Sequence, residues 1–384
     1  MDFDLSEEQR MLKDSVDRLL QDQYGFEARG KFGAGENGFS DNMWKQYAEL
    51  GLLALPFAEE HGGIGGGATE TMIVMEAFGK ALILEPFFAS VILAGGVLRH
   101  AGSEVQKAEL IPAIAEGQSR MAFACAEPQG RYDLFDVETT ARRNGDGWVI
   151  DGKKGLIIHG DSADKIIVSA RTGGGSRDED GISLFVVDAD AAGVSRQGYP
   201  TQDGLRAAEI TLQSVKVGAD ALIGGEGAAW PVISRVTDEA IAALCAEAVG
   251  CFEKMHELTL DYLKTRSQFG TTIGSFQALQ HRAADIFVEL EQSRSMTMYA
   301  SMLATGDDAV ERARAVSAAK VQIGESAKLI GRESIQLHGG VGMTMEYAIG
   351  HYFKRTTMID MLFGDADHHL KRLAQLGGLI REEA

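Results

Sequence analysis

Most of the side chains equipped for chemistry lie in the last third of the chain. Tyr262-Leu-Lys-Thr-Arg-Ser-Gln-Phe-Gly270 is followed by Ile273-Gly-Ser-Phe-Gln277 and His281-Arg-Ala-Ala-Asp285. Gln336-Leu-His-Gly-Gly-Val-Gly342 stands about 70 residues further on. Arg266 can offer a guanidinium to a pyrophosphate and Gln336 an amide, while Gly339, Gly340 and Gly342 permit close backbone approach. The plainer alternative puts Arg266 in a helix-end salt bridge and makes the glycines a turn between helices. Asp365 and Asp367 follow Gly364, and each can accept a proton or cap a helix beginning at His368. Glu239 is either a proton acceptor or part of a solvated helix face. Glu247 interrupts the apolar run 240–251 and has no assignable role beyond packing or an interface. His338, His368 and His369 lack ligand spacing, so no metal is expected.

These residues need elements to hold them. Residues 6–120 read as helices, opening near a capping box at Ser6, Glu8 and Gln9. His61-Gly-Gly-Ile-Gly-Gly-Gly67 is a loop, and a weak phosphate cradle because no strand precedes it. The texture changes near Met121. Trp148–Gly152, Lys165–Ala170, Ile182–Val187 and Val194–Val217 are short β-branched runs. No helical pattern separates them, which predicts an antiparallel sheet rather than βαβ units. Long helical segments near 230–267, 275–306, 308–337 and 345–364, with a shorter one at 367–380, predict an antiparallel bundle.

The chain has 384 residues, 45% apolar and 24% charged, which suits a globular protein of two or three domains. Its net charge of −19 argues against nucleic acid or an anionic membrane as partner. The acidic start is unlike a signal peptide, and no apolar run reaches membrane-span length. Cys125, Cys245 and Cys251 read as reduced core thiols in a cytoplasmic protein.

The double signature around Arg266 and Gln336, with Phe276-Gln277 and His281, resembles the acyl-CoA dehydrogenase family across nearly the whole chain. The resemblance implies an α+β fold: an N-terminal helical domain (1–120), a central antiparallel β-barrel-like domain (121–229) and a C-terminal four-helix bundle (230–384). It implies FAD as cofactor, an acyl-CoA substrate desaturated at its α,β bond, and electron-transfer flavoprotein as acceptor. Arg266, Phe269, Gln277, Gln336, Gly339 and Gly340 match positions that hold the ADP half of FAD, the later ones reaching a neighbouring subunit's cofactor. Phe123, Cys125, Ala126 and Ile158 fall where the family meets the flavin ring. Ala126 and Ile158 replace hydroxyl-bearing residues there, and Leu156 replaces an indole.

Counted from Arg355, the family's catalytic glutamate falls on Gly364, which cannot take a proton. Asp365 and Glu239 are the candidate replacements. The run Phe363-Gly-Asp-Ala-Asp-His-His-Leu-Lys-Arg372 is similar to the small subunit of pimeloyl-CoA-type dehydrogenases and to base-less partners in heterotetrameric steroid side-chain dehydrogenases. Two assemblies follow: a homotetramer using Asp365, or an α2β2 heterotetramer with a base-bearing paralogue. Outside dehydrogenation, an inactive scaffold holding CoA esters or FAD, and a flavin monooxygenase, remain as alternatives.

Overall fold

The computed structural model describes residues 5–378. Six α-helices come first: α1 (Glu7–Gln23), α2 (Phe26–Gly33), α3 (Asp41–Glu49), α4 (Ala68–Ala81), α5 (Gly95–Ala101) and α6 (Glu104–Ala115). Strands follow: β1 (Met121–Ala124), β2 (Thr140–Asn144), β3 (Gly147–Ile158), β4 (Lys165–Arg171), β5 (Ile182–Asp188), β6 (Val194–Pro200), β7 (Arg206–Val217) and β8 (Leu222–Ile223). Then come α7 (Trp230–Thr265), a hairpin of β9 (Ser267–Gln268) and β10 (Thr271–Thr272), α8 (Gln277–Ala304), α9 (Ala309–His338), α10 (Ile349–Met361) and α11 (Ala366–Gln375). The predicted reach of the last helix to Ile380 lies partly outside the described residues.

The contacts divide the chain into two compact units. One gathers Met1–Lys31, Ala68–Ile83 and Ile241–Ala384; the other gathers Phe32–Gly67 and Leu84–Ala240. The boundary therefore falls inside α2 and α7.

In the first unit, α1 starts on a complete capping box: the Ser6 side chain accepts from Gln9 N–H, and the Gln9 side chain accepts from Ser6 N–H. Its Val16 and Leu20 are buried, at the four-residue spacing that puts them on one face. α9 carries a buried stripe of small residues, including Ala315, Ala319, Ala327 and Gly331, and α8, α10 and α11 all pack on it. Small side chains let these helices approach closely. Gly79 and Gly250 do the same for α4 and α7, since a Cβ on Gly79 would collide with the Glu247 carbonyl.

The second unit contains an eight-stranded sheet of order β6-β7-β3-β2-β4-β5-β8, with β1 pairing β4. This corrects the expected antiparallel, barrel-like domain. The sheet is mixed: β1 and β2 each pair β4 in parallel. It is also open, because β6 and β8 end the order and do not pair with each other. Parallel neighbours arise here without a helical crossover because the strands between them in sequence are themselves part of the sheet. One face packs on a core of Ala122, Ala124, Trp148, Ile150, Ile157, Ile166, Val168, Phe185, Ile210 and Val215. No helix among the described residues is long and apolar enough to cross a membrane.

Candidate functional site

The two glycine-bearing motifs meet at one end of the helical unit. The rings of Tyr262 on α7 and His338 on α9 lie 4.6 Å apart, and Tyr347 lies 5.0 Å from His338. This cluster sets Arg266, one turn past Tyr262, at the same end as Gly339. The Arg266 carbonyl accepts from Ile273 N–H at 2.9 Å and so closes the hairpin base. Its side chain is exposed and makes no hydrogen bond or ion pair with described residues. Phe269, at the hairpin tip, has φ +56° and is 90% exposed, with Phe276 edge-on at 6.1 Å. A left-handed phenylalanine costs about 1–2 kcal/mol, and its bare ring adds apolar surface to water. Gln277, Gln336, Gly339 and Gly340 are also exposed. A Cβ on Gly339 or Gly340 would meet nothing within 4 Å.

The segment after α10 is built differently. Gly364 has φ +112°, and a Cβ there would lie 2.5 Å from His368 Cδ2 and 2.9 Å from His369 Nε2. Asp365 is the cap of α11: its Oδ1 accepts from His368 N–H at 2.8 Å. The helix starts at Ala366, two residues before the expected His368, so Asp367 is an exposed first-turn residue and not the cap. Lys320, fully buried on α9, donates to the carbonyls of Ile359, Asp360, Leu362 and Gly364 at 2.7–2.9 Å. Burial pushes its ammonium down to about 8, against the pull of Cys245, Asp360 and Asp365. His369 is fully buried, with Nε2 3.1 Å from the Phe363 carbonyl and Nδ1 3.1 Å from Ser317 Oγ. The carbonyl partner assigns the proton to Nε2. Burial, then the charges of Lys320, Arg372 and His368, push its pKa down to about 2.

Glu239 belongs to the sheet-bearing unit. The expected solvated helix face is wrong, for its side chain is only 8% exposed. It pairs with Arg99, with His100 at 2.9 Å and with Arg235 at 3.5 Å. Burial pushes its carboxyl up, but the His100 hydrogen bond, Arg99 and Arg235 outweigh that and hold it low. A base for a thioester α-proton needs the opposite, a raised pKa. Glu247, on α7, makes a two-pronged ion pair with Arg355 on α10, at 2.5 and 2.7 Å.

Two ring-side candidates sit on the sheet, Phe123 on β1 and Ile158 on β3, while Cys125 and Ala126 follow β1 directly. Phe123 alternates with the core residues Ala122 and Ala124, so it projects from the opposite face, as does Ile158 beside the core residue Ile157. Phe123, Cys125 and Ile158 are buried, and Ala126 is half-buried. In the same unit Lys154 donates to Glu127 at 2.7 Å and to Ser169 at 2.9 Å, with both charges buried. The glycine loop at 62–67 is structural. Gly63, Ile64, Gly65 and Gly66 direct their N–H groups to carbonyls of residues 54–58, leaving none of these four for a phosphate.

FAD is the group the resemblance implies, and the residues fit half of it. The pyrophosphate and adenosine side has an unengaged guanidinium, exposed amides and open glycines. The ring side has none of the hydroxyls that would bond it, only a phenyl, a methyl, a thiol and a branched alkyl. The candidates also divide between the units: Phe123, Cys125, Ala126, Ile158 and Glu239 in one, and Arg266, Phe269, Gln277, Gln336, Gly339, Gly340 and Asp365 in the other. Sequence reasoning missed Lys320, the Lys154–Glu127 pair and the pairing of Glu247 with Arg355. The one signal for Lys320 was a lone lysine within Ala315-Val-Ser-Ala-Ala-Lys-Val321, a run of small and apolar residues.

Three domain families match in register: acyl-CoA dehydrogenase N-terminal domain at residues 6–118, middle domain at 122–215 and C-terminal domain at 227–376. The chain is 30% identical to a probable acyl-CoA dehydrogenase, YngJ, of Bacillus subtilis, over 99% of this chain and 100% of that one. It is similar in structure to a variant of the Tcur3481–Tcur3483 steroid ACAD (28% identity, TM-score 0.86, 96% and 97% covered). It is likewise similar to the ChsE4–ChsE5 complex of Mycobacterium tuberculosis (25% identity, TM-score 0.89, 99% and 100% covered). The chain belongs to the acyl-CoA dehydrogenase family.

Proposed function

We propose that this chain is the base-less subunit of a heterotetrameric, FAD-dependent acyl-CoA dehydrogenase. It lends the Arg266–Gln277 and Gln336–Gly340 surface to the cofactor's ADP half. A base-bearing paralogue supplies the carboxylate and the ring contacts. The assembly desaturates an acyl-CoA at its α,β bond and passes electrons to electron-transfer flavoprotein in the cytoplasm. FAD, when bound, supplies the hydride acceptor.

The observation that carries this reading is Gly364. At φ +112°, with two imidazoles against it, position 364 has no room for the family's glutamate. The substitutes are engaged elsewhere: Asp365 caps a helix, and Glu239 is ion-paired with Arg99 and Arg235 and bonded to His100. Similarity to two structures named for pairs of proteins, one of them a steroid ACAD, supports a mixed assembly. The exposed Phe269, Phe287, Val288, Met343 and Met345 of the helical unit supply apolar surface for a partner.

The test is co-expression with a paralogue that carries an aromatic-Glu-Gly motif. An α2β2 complex that desaturates acyl-CoA, and does so undiminished with Asp365→Asn in this chain, is expected. Loss of activity in Asp365→Asn with the complex intact would move the base to Asp365 and overturn the base-less reading.

A further inference from the structure

The turn Leu362–Asp365 is held from four sides. Lys320 reaches up from α9 to four carbonyls, although an ammonium has only three N–H groups, so one bond is shared. His369 holds the Phe363 carbonyl from α11 while Ser317 on α9 steadies its other nitrogen. The Asp360 carboxylate accepts from Ala366 N–H at 3.1 Å, and Asp365 caps the same helix. Phe363 and Gly364 both take positive φ, +58° and +112°. Gly324 brings α9 close beneath: a Cβ there would lie 2.9 Å from that of Ala366. So much fixed hydrogen bonding around two positive-φ residues is more than a helix connection requires.

We propose that Lys320 and His369 are positioning residues that lock this turn as a plug of backbone, so that position 364 cannot bear a side chain while they hold it. The inference rests on the half-site reading above and extends it. The missing base is then not a lone substitution but a rebuilt turn, and restoring glutamate alone does not restore a base. Lys320 sets the carbonyls inward, His369 fixes the Phe363 carbonyl, and the imidazoles of His368 and His369 take the volume a side chain at 364 would use.

The test is a double-variant cycle on the full-length protein, read by amide exchange at Ala366, His368 and His369 and by urea midpoint. Lys320→Met should speed exchange at those amides by about tenfold or more, with the α8 amides unchanged. His369→Gln, a milder change, should do the same to a smaller extent. The decisive reading is coupling. Gly364→Ala should be costly in the wild type, and its added cost should fall to about half or less once Lys320→Met has freed the turn. Additive effects in both backgrounds would overturn the lock, as would a Gly364→Glu single variant whose bound flavin is bleached by acyl-CoA. Bleaching by the unsubstituted chain would instead overturn the half-site reading, so the two failures are distinguishable.

Discussion

Replacing Glu247 with Ala tests the packing logic of the helical unit with a magnitude the structure supplies. The two side chains of the Glu247–Arg355 pair are each 6% exposed and meet through two short hydrogen bonds. Unit charges about 4 Å apart at an effective dielectric near 20 attract by about 4 kcal/mol. Removing one member of such a pair also strands the other in a dry site, and measured losses run to about 3–5 kcal/mol. We therefore expect Glu247→Ala to cost about 4 kcal/mol, nearly three decades in the local opening equilibrium. The assay is urea unfolding of the full chain with amide exchange followed along α10, because two units need not unfold together. Glu247→Gln should fall between the wild type and Ala. The pair Glu247→Leu with Arg355→Met should recover most of the loss, since apolar groups of similar size need no partner. A loss below about 1 kcal/mol, the range of an exposed pair, would refute the reasoning.

Other outcomes follow from the same geometry. Arg266→Ala should leave the urea midpoint unchanged, since its exposed side chain makes no hydrogen bond or ion pair with a described residue, but lower FAD retention by about 10–100-fold through loss of a bond worth about 1.5–3 kcal/mol; unchanged flavin content sinks that assignment. His369 is neutral in the fold, with a pKa near 2 against an ordinary value of 6.5. Below pH 6.5 the unfolded chain takes a proton that the folded chain refuses, so stability falls by up to about 1.4 kcal/mol per pH unit from this group. His369→Asn should remove one proton from the difference in stability slope between pH 6.5 and 5; equal slopes would contradict it. Glu239→Gln should destabilise the sheet-bearing unit by about 1–3 kcal/mol, because two guanidiniums and an imidazole lose their shared carboxylate. A urea midpoint equal to wild type would show that Glu239 does not clamp α5 to α7.

The helices were legible where local chemistry decides them. The capping box at Ser6, the long apolar periods of α7 to α10 and the β-branched runs of β3, β4 and β5 each announce an element, though its bounds can shift by several residues. Strand order was not legible. The absence of helices between strands excludes βαβ units but says nothing of non-consecutive neighbours, and β1 and β2 both reach β4 in parallel. At the site, the sequence showed that glutamate was missing at 364 but not why glycine was there. That reason lies in Lys320, 44 residues earlier, which donates to the Gly364 carbonyl, and in the imidazoles that follow. Glu239 and Glu247 illustrate the same limit. Helical periodicity gives each a face but not its partners, which come from α5 and α10.

The central claim is that this chain has no base of its own. Its most direct test is anaerobic titration of the purified chain, reconstituted with FAD, against a panel of acyl-CoA thioesters while the flavin absorbance is recorded. The account predicts a spectrum that does not bleach with the chain alone and bleaches once a glutamate-bearing paralogue is present. Bleaching of the chain alone, by any member of the panel, would contradict it.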